Sequence, residues 1–119
     1  MAYLTAKTKE ETYDILTEYI NKIKPILGNK LKKVILFGSY ARGDYDEESD
    51  VDIMLMIDDD ESRLNKYDNE LTHIEVNINL DNNIVIIPIL MSEKKFKKYA
   101  DVVPFYKNVV NEGVILYEQ

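Results

Sequence analysis

Residues 33–58 read KVILFGSYARGDYDEESDVDIMLMID, and this stretch determines how the rest of the chain can be arranged. The apolar run 34–37 predicts a short buried strand, and the run 51–57 predicts a second one. Gly38 and Ser39 end the first strand, and a polar segment connects them to the second strand. Two neighbouring strands with a glycine-serine turn between them therefore form the centre of the predicted fold.

Two aspartates, Asp50 and Asp52, lie at the start of the second predicted strand. Because the side chains of a strand alternate between its faces, both carboxylates should share one face with Met54 and Met56. Adjacent carboxylates repel each other, and a fold rarely accepts such a pair near its core unless a cation lies between them. The pair, with the glycine-serine turn opposite, predicts a site for a divalent metal ion and a polyphosphate.

The spacing of these residues resembles the signature of the DNA polymerase β-type nucleotidyltransferases. The matching residues are Gly38-Ser39, then Asp50-Val51-Asp52 after ten intervening positions, together with Ser49 and the Ala-Arg-Gly at 41–43. The longer string GSYARGDYDEESDVD is similar to the minimal nucleotidyltransferases, which are single-domain proteins often paired with a HEPN partner. The match covers about a quarter of the chain, and the rest agrees in length and element order.

The resemblance implies a mixed α/β fold, a polymerase β-like palm in which helices pack on a small mixed sheet. It implies that Asp50 and Asp52 are catalytic and hold Mg²⁺, and that Gly38, Ser39 and Arg42 bind the nucleotide. The implied reaction transfers a nucleoside monophosphate, AMP from ATP, to a hydroxyl acceptor. For a minimal nucleotidyltransferase the implied acceptor is a tyrosine of a HEPN toxin, so that this chain would be an antitoxin.

The residues of the turn also have simpler interpretations. Alone, Gly38-Ser39 would indicate an ordinary strand-to-helix turn in which Ser39 caps a short helix. Arg42 could lie against a triphosphate, or it could pair with Asp44, Asp46 or one of the metal-binding aspartates. The spacing between the turn and the Asp-x-Asp motif favours the functional interpretation of the turn.

The sequence departs from the family at the third strand, which we predict over residues 84–90 with Pro88 at an edge or bulge. The superfamily usually carries a third carboxylate on this strand, where it accepts the proton of the attacking hydroxyl. IVIIPIL contains none, so Asp81 is the nearest substitute and Glu93 a poorer one. This departure keeps a second hypothesis open: a catalytically weak or inactive module that binds nucleotide and partner and acts by steric contact.

Length and composition indicate the number of domains, the cellular compartment and the classes of partner. At 119 residues the chain is expected to form one nucleotidyltransferase domain over residues 1–119. The absence of cysteine excludes disulfides and thiolate metal sites and favours a cytoplasmic protein. No apolar stretch approaches the roughly 18 residues of a membrane span, so no membrane partner is expected. The formal net charge is −7, so a nucleic acid is not expected as the main partner.

Helices and a last strand complete the expected order. A capping box at 8–11 should begin a helix that Gly28 ends. Another helix is expected over 63–80, with one buried apolar stripe. Pro104 should open a last helix, and Gly113 should end it before a strand at a sheet edge. The helices are expected to cover one side of the sheet.

Overall fold

A four-stranded mixed sheet forms the centre of the computed structural model, which describes residues 7–119. The strands pair in the order β3-β2-β1-β4, in which β1 is antiparallel to β2 and β4, and β2 is parallel to β3. This arrangement confirms the predicted mixed α/β fold and the predicted edge positions of the third and last strands. The strands are β1 (Leu31–Phe37), β2 (Val51–Ile57), β3 (Ile86–Ser92) and β4 (Val114–Glu118).

Five α-helices lie before and between the strands within the described residues. The first begins with the predicted capping box, in which the Thr8 hydroxyl accepts a bond from the Glu11 amide and the Glu11 carboxylate accepts one from the Thr8 amide. This helix contains Pro25 near its end, and Gly28 is its C-cap, as predicted. None of the helices in residues 7–119 is long and apolar enough to cross a membrane. The helices are α1 (Lys9–Leu27), α2 (Ser39–Arg42), α3 (Asp68–Asn82), α4 (Glu93–Tyr99) and α5 (Pro104–Glu112).

The helix predicted over 63–80 is in fact two segments. A 3₁₀ segment, Glu61–Tyr67, precedes α3, which runs two residues further than predicted. The Asp59 carboxylate contacts the last two residues of the 3₁₀ segment. It lies 2.8 Å from Lys66 Nζ and accepts a bond from the Tyr67 hydroxyl at 3.3 Å. Four of the five residues predicted to form the buried stripe are buried, and the fifth, Ile74, is half-buried; the four are Leu64, Tyr67, Leu71 and Ile78.

Helices cover both faces of the sheet, and the expectation of one covered face was wrong. On one face α1 and α3 pack against Ile53 and Leu55 in the larger core. On the other face α4 and α5 pack against Met54 and Met56 in a smaller core. The physical reason is visible in β2, which is apolar on both faces after Asp52 and must therefore be covered on both.

The third strand begins two residues later than predicted because the residues before it form the C-terminal cap of α3. Asn83 adopts a left-handed conformation with φ 50°, and the Ile84 amide donates to the Asn79 carbonyl at 3.3 Å. These contacts close the helix in the manner of a left-handed C-cap. Ile84 is buried in the larger core but does not belong to the strand.

Some of the backbone groups at the outer edge of β3 are not free to pair with another strand, so this edge is partly closed. The Val51 amide donates to the Val85 carbonyl at 2.8 Å, so alternation directs the backbone groups of Ile86 and Pro88 away from β2. The Asn79 side chain bonds both the amide and the carbonyl of Ile86, at 2.9 and 3.3 Å. Since proline has no N–H, neither position presents a free amide at this edge.

Candidate functional site

The candidate site lies where the end of β1 meets the start of β2. Phe37 and Asp52 are paired across these antiparallel strands, which places the glycine-serine turn beside the acidic pair. Gly38 has φ 74° and ψ −155°, a backbone conformation that residues with side chains rarely adopt. A Cβ atom at Gly38 would also overlap the Asp52 carboxylate. Glycine is therefore required here both by the backbone conformation and by the close approach of the acid.

The carboxylates of Asp50 and Asp52 lie close enough to interact electrostatically. Asp52 is half-buried and Asp50 is exposed. Burial raises the pKa of Asp52 above its ordinary value, and the negative charge of Asp50 raises it further, whereas the guanidinium of Arg42 lowers it. The charged form of Asp52 is thus disfavoured in the metal-free protein.

Ser39 is the first residue of α2, and the simpler interpretation in which it caps this helix was wrong. Gly38 occupies the cap position, and the Ser39 carbonyl accepts bonds from the amides of Gly43 and Asp44 at 2.8 and 3.2 Å. The first amides of a helix have no acceptor within it, and a phosphate oxygen is a suitable acceptor for them. Ser39 is half-buried at this end of the helix.

Arg42 is paired with two acids. Its guanidinium lies 3.3 Å from Asp44, one of the partners anticipated from sequence, and 3.2 Å from Glu112 at the end of α5. All three side chains are at least two-fifths exposed, so these pairs contribute little to stability. Glu112 was missed by the sequence analysis, because 70 residues separate it from Arg42 and only the packing of α5 brings them together.

The position beside Asp52 on β3 carries Ile87, not an acid. Paired residues of parallel strands point to the same face, so Ile87 lies on the face of the sheet that carries the Asp52 carboxylate. Its side chain is 39% exposed although it is large and apolar. This is the place on β3 from which a third carboxylate could reach the acidic pair.

Neither substitute suggested from sequence completes a triad. Glu93 follows Ser92, which pairs with Ile57 at the far end of the sheet, roughly 17 Å along the strand from Asp52. Asp81 is exposed on α3. Within residues 7–119 no group of three or more histidine, cysteine, aspartate or glutamate side chains is arranged to hold a metal ion. The acids at the site are a pair.

Two carboxylates fit the coordination that Mg²⁺ prefers when a substrate supplies the other ligands. Mg²⁺ is usually bound by one or two carboxylates together with substrate phosphates and water. Burial and the charge of Asp50 both raise the pKa of Asp52, and the nearby charge of Arg42 lowers it. Asp50 and Asp52 are therefore the residues that would hold the ion.

The loop between α2 and β2 is braced on both sides. The Ser49 hydroxyl accepts a bond from the Asp46 amide at 3.0 Å and donates one to the Asp46 carboxylate at 3.2 Å. The rings of Tyr40 and Tyr45 stack with centroids 4.0 Å apart and an interplanar angle of 10°. These contacts fix the approach of the chain to Asp50, and the tyrosine pair was not anticipated from sequence.

Two cavities flank the acidic pair. The smaller, about 150 Å³, is lined by Gly38 and Arg42 and by residues of α5, and we call it the α5-side cavity. The larger, about 370 Å³, is lined by Ser49 and Asp50 and by residues at the end of α3, and we call it the α3-side cavity. The α5-side cavity thus borders the glycine-serine turn, and the α3-side cavity borders Asp50.

Gly38→Ala should separate the role of the close approach from the effect of backbone strain. Both Gly38 and Gly43 have positive φ, but a Cβ at Gly43 would meet no atom within 4 Å. Each alanine should cost about 1–3 kcal/mol of stability, measured by chemical denaturation. Only Gly38→Ala should also weaken Mg-ATP binding, by tenfold or more in calorimetry, because it displaces the Asp52 carboxylate.

Gly43→Ala is the matched control for this experiment. Equal losses of Mg-ATP affinity in the two variants, at equal stability, would show that the close approach of Gly38 and Asp52 has no part in binding.

Asp52→Asn should stabilise the metal-free protein at neutral pH. The folded-state pKa of Asp52 is raised, so its charge is destabilising above that pKa and has no effect below the unfolded value, where both states are protonated. The melting temperature of the variant should exceed that of the wild type at pH 7, and the two should converge as the pH falls below about 4. Thermal unfolding across this pH range measures the effect, and added Mg²⁺ should stabilise only the wild type. A variant that melts below the wild type at pH 7 without metal contradicts this electrostatic account.

The chain is similar to known nucleotidyltransferases over most of its length. A family model described as "Nucleotidyltransferase domain" matches residues 9–116. Two proteins of Methanocaldococcus jannaschii are similar in sequence. "Putative protein adenylyltransferase MJ0604" is 39% identical over 102 residues, which is 86% of this chain and 94% of the relative. "Putative protein adenylyltransferase MJ0141" is 40% identical over 96 residues, 81% of this chain and 95% of the relative.

Solved structures share the fold at low identity. A toxin-antitoxin complex with AMP-PNP superposes with a TM-score of 0.56 at 20% identity, over 86% of this chain and 73% of that chain. A mutant of the toxin-antitoxin MntA-HpeT superposes with a TM-score of 0.53 at 14% identity, over 95% of this chain and 75% of that chain. The sequence match over nearly the whole length is independent of these structures, and it shows that the chain belongs to the nucleotidyltransferase domain family.

Proposed function

We propose that this chain is a Mg²⁺-dependent protein adenylyltransferase that transfers AMP from ATP to a tyrosine of a HEPN-family toxin and thereby acts as an antitoxin in the cytoplasm. The observation that carries the proposal is the contact of the Gly38 turn with the carboxylate of Asp52, beside Asp50. The names of the sequence relatives support protein as the acceptor. The structural neighbours support a nucleotide and a partner protein as ligands.

Each site residue has a role that follows from its position. Asp50 and Asp52 hold the metal ion, which when bound neutralises charge on the triphosphate and on the leaving pyrophosphate. The amides and hydroxyl at Gly38 and Ser39 bind the β- and γ-phosphates. Arg42 exchanges its exposed carboxylate partners for a phosphate, since its present ion pairs are weak.

The reaction requires positioning more than a strong base. The tyrosine oxygen attacks the α-phosphorus, the bond from that phosphorus to the bridging oxygen breaks, and pyrophosphate leaves with the bonding electrons. The phenol proton passes to solvent, because β3 carries Ile87 where a third carboxylate would lie. Such transition states are loose, so orientation and charge neutralisation supply most of the rate.

One structural neighbour supports the assignment of the acid pair. It is a variant of the MntA-HpeT complex in which two aspartates two positions apart are both replaced by glutamate. Asp50 and Asp52 have the same spacing. Another neighbour is a variant of that complex in which a tyrosine is replaced by alanine.

Labelled ATP tests the proposal directly. The chain, a co-purified HEPN-family partner and Mg²⁺ should transfer label from α-labelled ATP to the partner, with a mass gain of one AMP. γ-Labelled ATP should transfer none, because the γ-phosphate leaves with pyrophosphate. Asp50→Asn/Asp52→Asn should reduce transfer at least a hundredfold, since the paired acids act together at the reacting phosphate.

Two results would contradict the proposal. Transfer of label from γ-labelled ATP would indicate phosphorylation, and undiminished transfer by the Asp50→Asn/Asp52→Asn variant would place the chemistry elsewhere.

The second candidate function is a binding module that silences its partner by steric contact without turnover. The observation that favours it is the apolar Ile87 at the position of the third acid. In such a module the complex alone would silence the partner, and ATP would not be consumed.

Ile87→Asp distinguishes the two functions. If the chain is an enzyme with solvent as proton acceptor, a carboxylate at this position should act as a general base and raise AMP transfer tenfold or more. Ile87→Asn is the control, since it removes the apolar side chain without adding a base. Absence of transfer by both the wild type and Ile87→Asp, in a complex that still silences the partner, would establish the steric module.

A further inference from the structure

We infer that the α3-side cavity receives the acceptor segment of the partner protein, in which the reacting hydroxyl residue is accompanied by an apolar side chain and by lysine or arginine. The position of the donor in this inference rests on the proposed function. The nature of the segment rests on the charge and the apolar character of the residues that line the cavity.

The direction of attack indicates which of the two cavities receives the acceptor. With the β- and γ-phosphates at Gly38 and Ser39, the leaving pyrophosphate lies on the β1 side of the acid pair. The attacking and leaving oxygens of a phosphoryl transfer lie roughly in line. The acceptor hydroxyl must therefore approach from the side of the reacting phosphorus away from the pyrophosphate. Of the two cavities, the α3-side cavity is the one lined by a member of the acid pair, Asp50, together with Val85 before β3 and Tyr40 beside Ser39.

The wall of this cavity carries exposed apolar side chains. Leu80 at the end of α3 is 76% exposed and Val85 before β3 is 51% exposed. Single exposed apolar residues are ordinary, but these two line the same cavity as Asp50. Together they provide a surface on which an apolar side chain of the acceptor would be removed from water.

The opposite wall is acidic. Glu47, Glu48 and Asp50 line the cavity and are exposed, and Lys7 is the one basic side chain among the described lining residues. An anionic nucleotide would be repelled by this wall, whereas a cationic segment would be attracted to it. The charge of the wall therefore selects a basic acceptor segment and favours the other side of the site for the donor.

The acceptor does not dock here by adding a strand to the sheet. At the outer edge of β3 the backbone groups of Ile86 are bonded by Asn79, and Pro88 has no amide. Strand addition depends on such main-chain groups. The acceptor segment must therefore be recognised through side chains, which is the mode that the apolar and acidic walls provide.

Peptide binding tests this inference without relying on transfer. The probe is a fluorescein-labelled peptide that contains one tyrosine, a neighbouring leucine and two flanking lysines, and the matched peptide has glutamates in place of the lysines. In fluorescence anisotropy at low salt the lysine peptide should bind at least tenfold more tightly than the glutamate peptide. Leu80→Ser/Val85→Ser and Glu47→Lys/Glu48→Lys should each weaken its binding by about tenfold.

Control variants with similar exposure lie elsewhere on the chain. Val110 and Ile115, 59% and 53% exposed, belong to a different groove between α5 and β4, and Val110→Ser/Ile115→Ser should bind the peptide as the wild type does. Glu18 and Glu118 are exposed on α1 and β4, and Glu18→Lys/Glu118→Lys should change affinity less than twofold. Thermal unfolding checks that every variant remains folded.

The outcomes separate this inference from the proposed function. Equal binding of the two peptides, or equal losses in cavity and control variants, overturns the docking inference even if labelled AMP is transferred. Cavity-dependent binding of the lysine peptide supports it, and failure to transfer AMP in that case would contradict only the proposed function.

Discussion

The approach of the Asp52 carboxylate to the backbone of Gly38 is the contact on which the site depends. It follows from the register of β1 and β2, in which Phe37 lies opposite Asp52. A shift of one residue would move every side chain of β2 to the other face. Met54 and Met56 on one face and Ile53 and Leu55 on the other are at most 2% exposed, so a shift would exchange side chains of different shape between two close-packed cores. Ordinary core packing thus holds the acid at the turn.

The pair of carboxylates beside this contact is electrostatically unfavourable in the isolated protein. Asp50 and Asp52 repel each other in a chain of net charge −7, and Arg42 offsets this only in part. The pair is tolerated because it lies at the end of a strand, where water reaches both carboxylates. Local instability of this kind is common where a site is complementary to a ligand and not to the free protein.

The local features of the fold and site could be predicted from sequence, whereas the features that depend on packing could not. The capping box, the bounds of β2 and the proximity of Asp50 to Asp52 each follow from residues a few positions apart. The contact of Arg42 with Glu112 and the place of Ile87 beside Asp52 depend on how distant elements pack. The two covered faces could have been inferred, because β2 is apolar on both sides after Asp52.

The partly closed outer edge of β3 also affects the tendency of the protein to aggregate at high concentration. A bare strand edge is a template on which chains can stack into intermolecular sheets. Here Asn79 occupies the backbone groups of Ile86, Pro88 lacks a donor, and the Glu61 carboxylate accepts a bond from the Ser92 amide at 3.1 Å. The other edge, β4, is only five residues long. Aggregation by strand pairing is therefore disfavoured at both ends of the sheet, even though apolar side chains stand exposed close to β3.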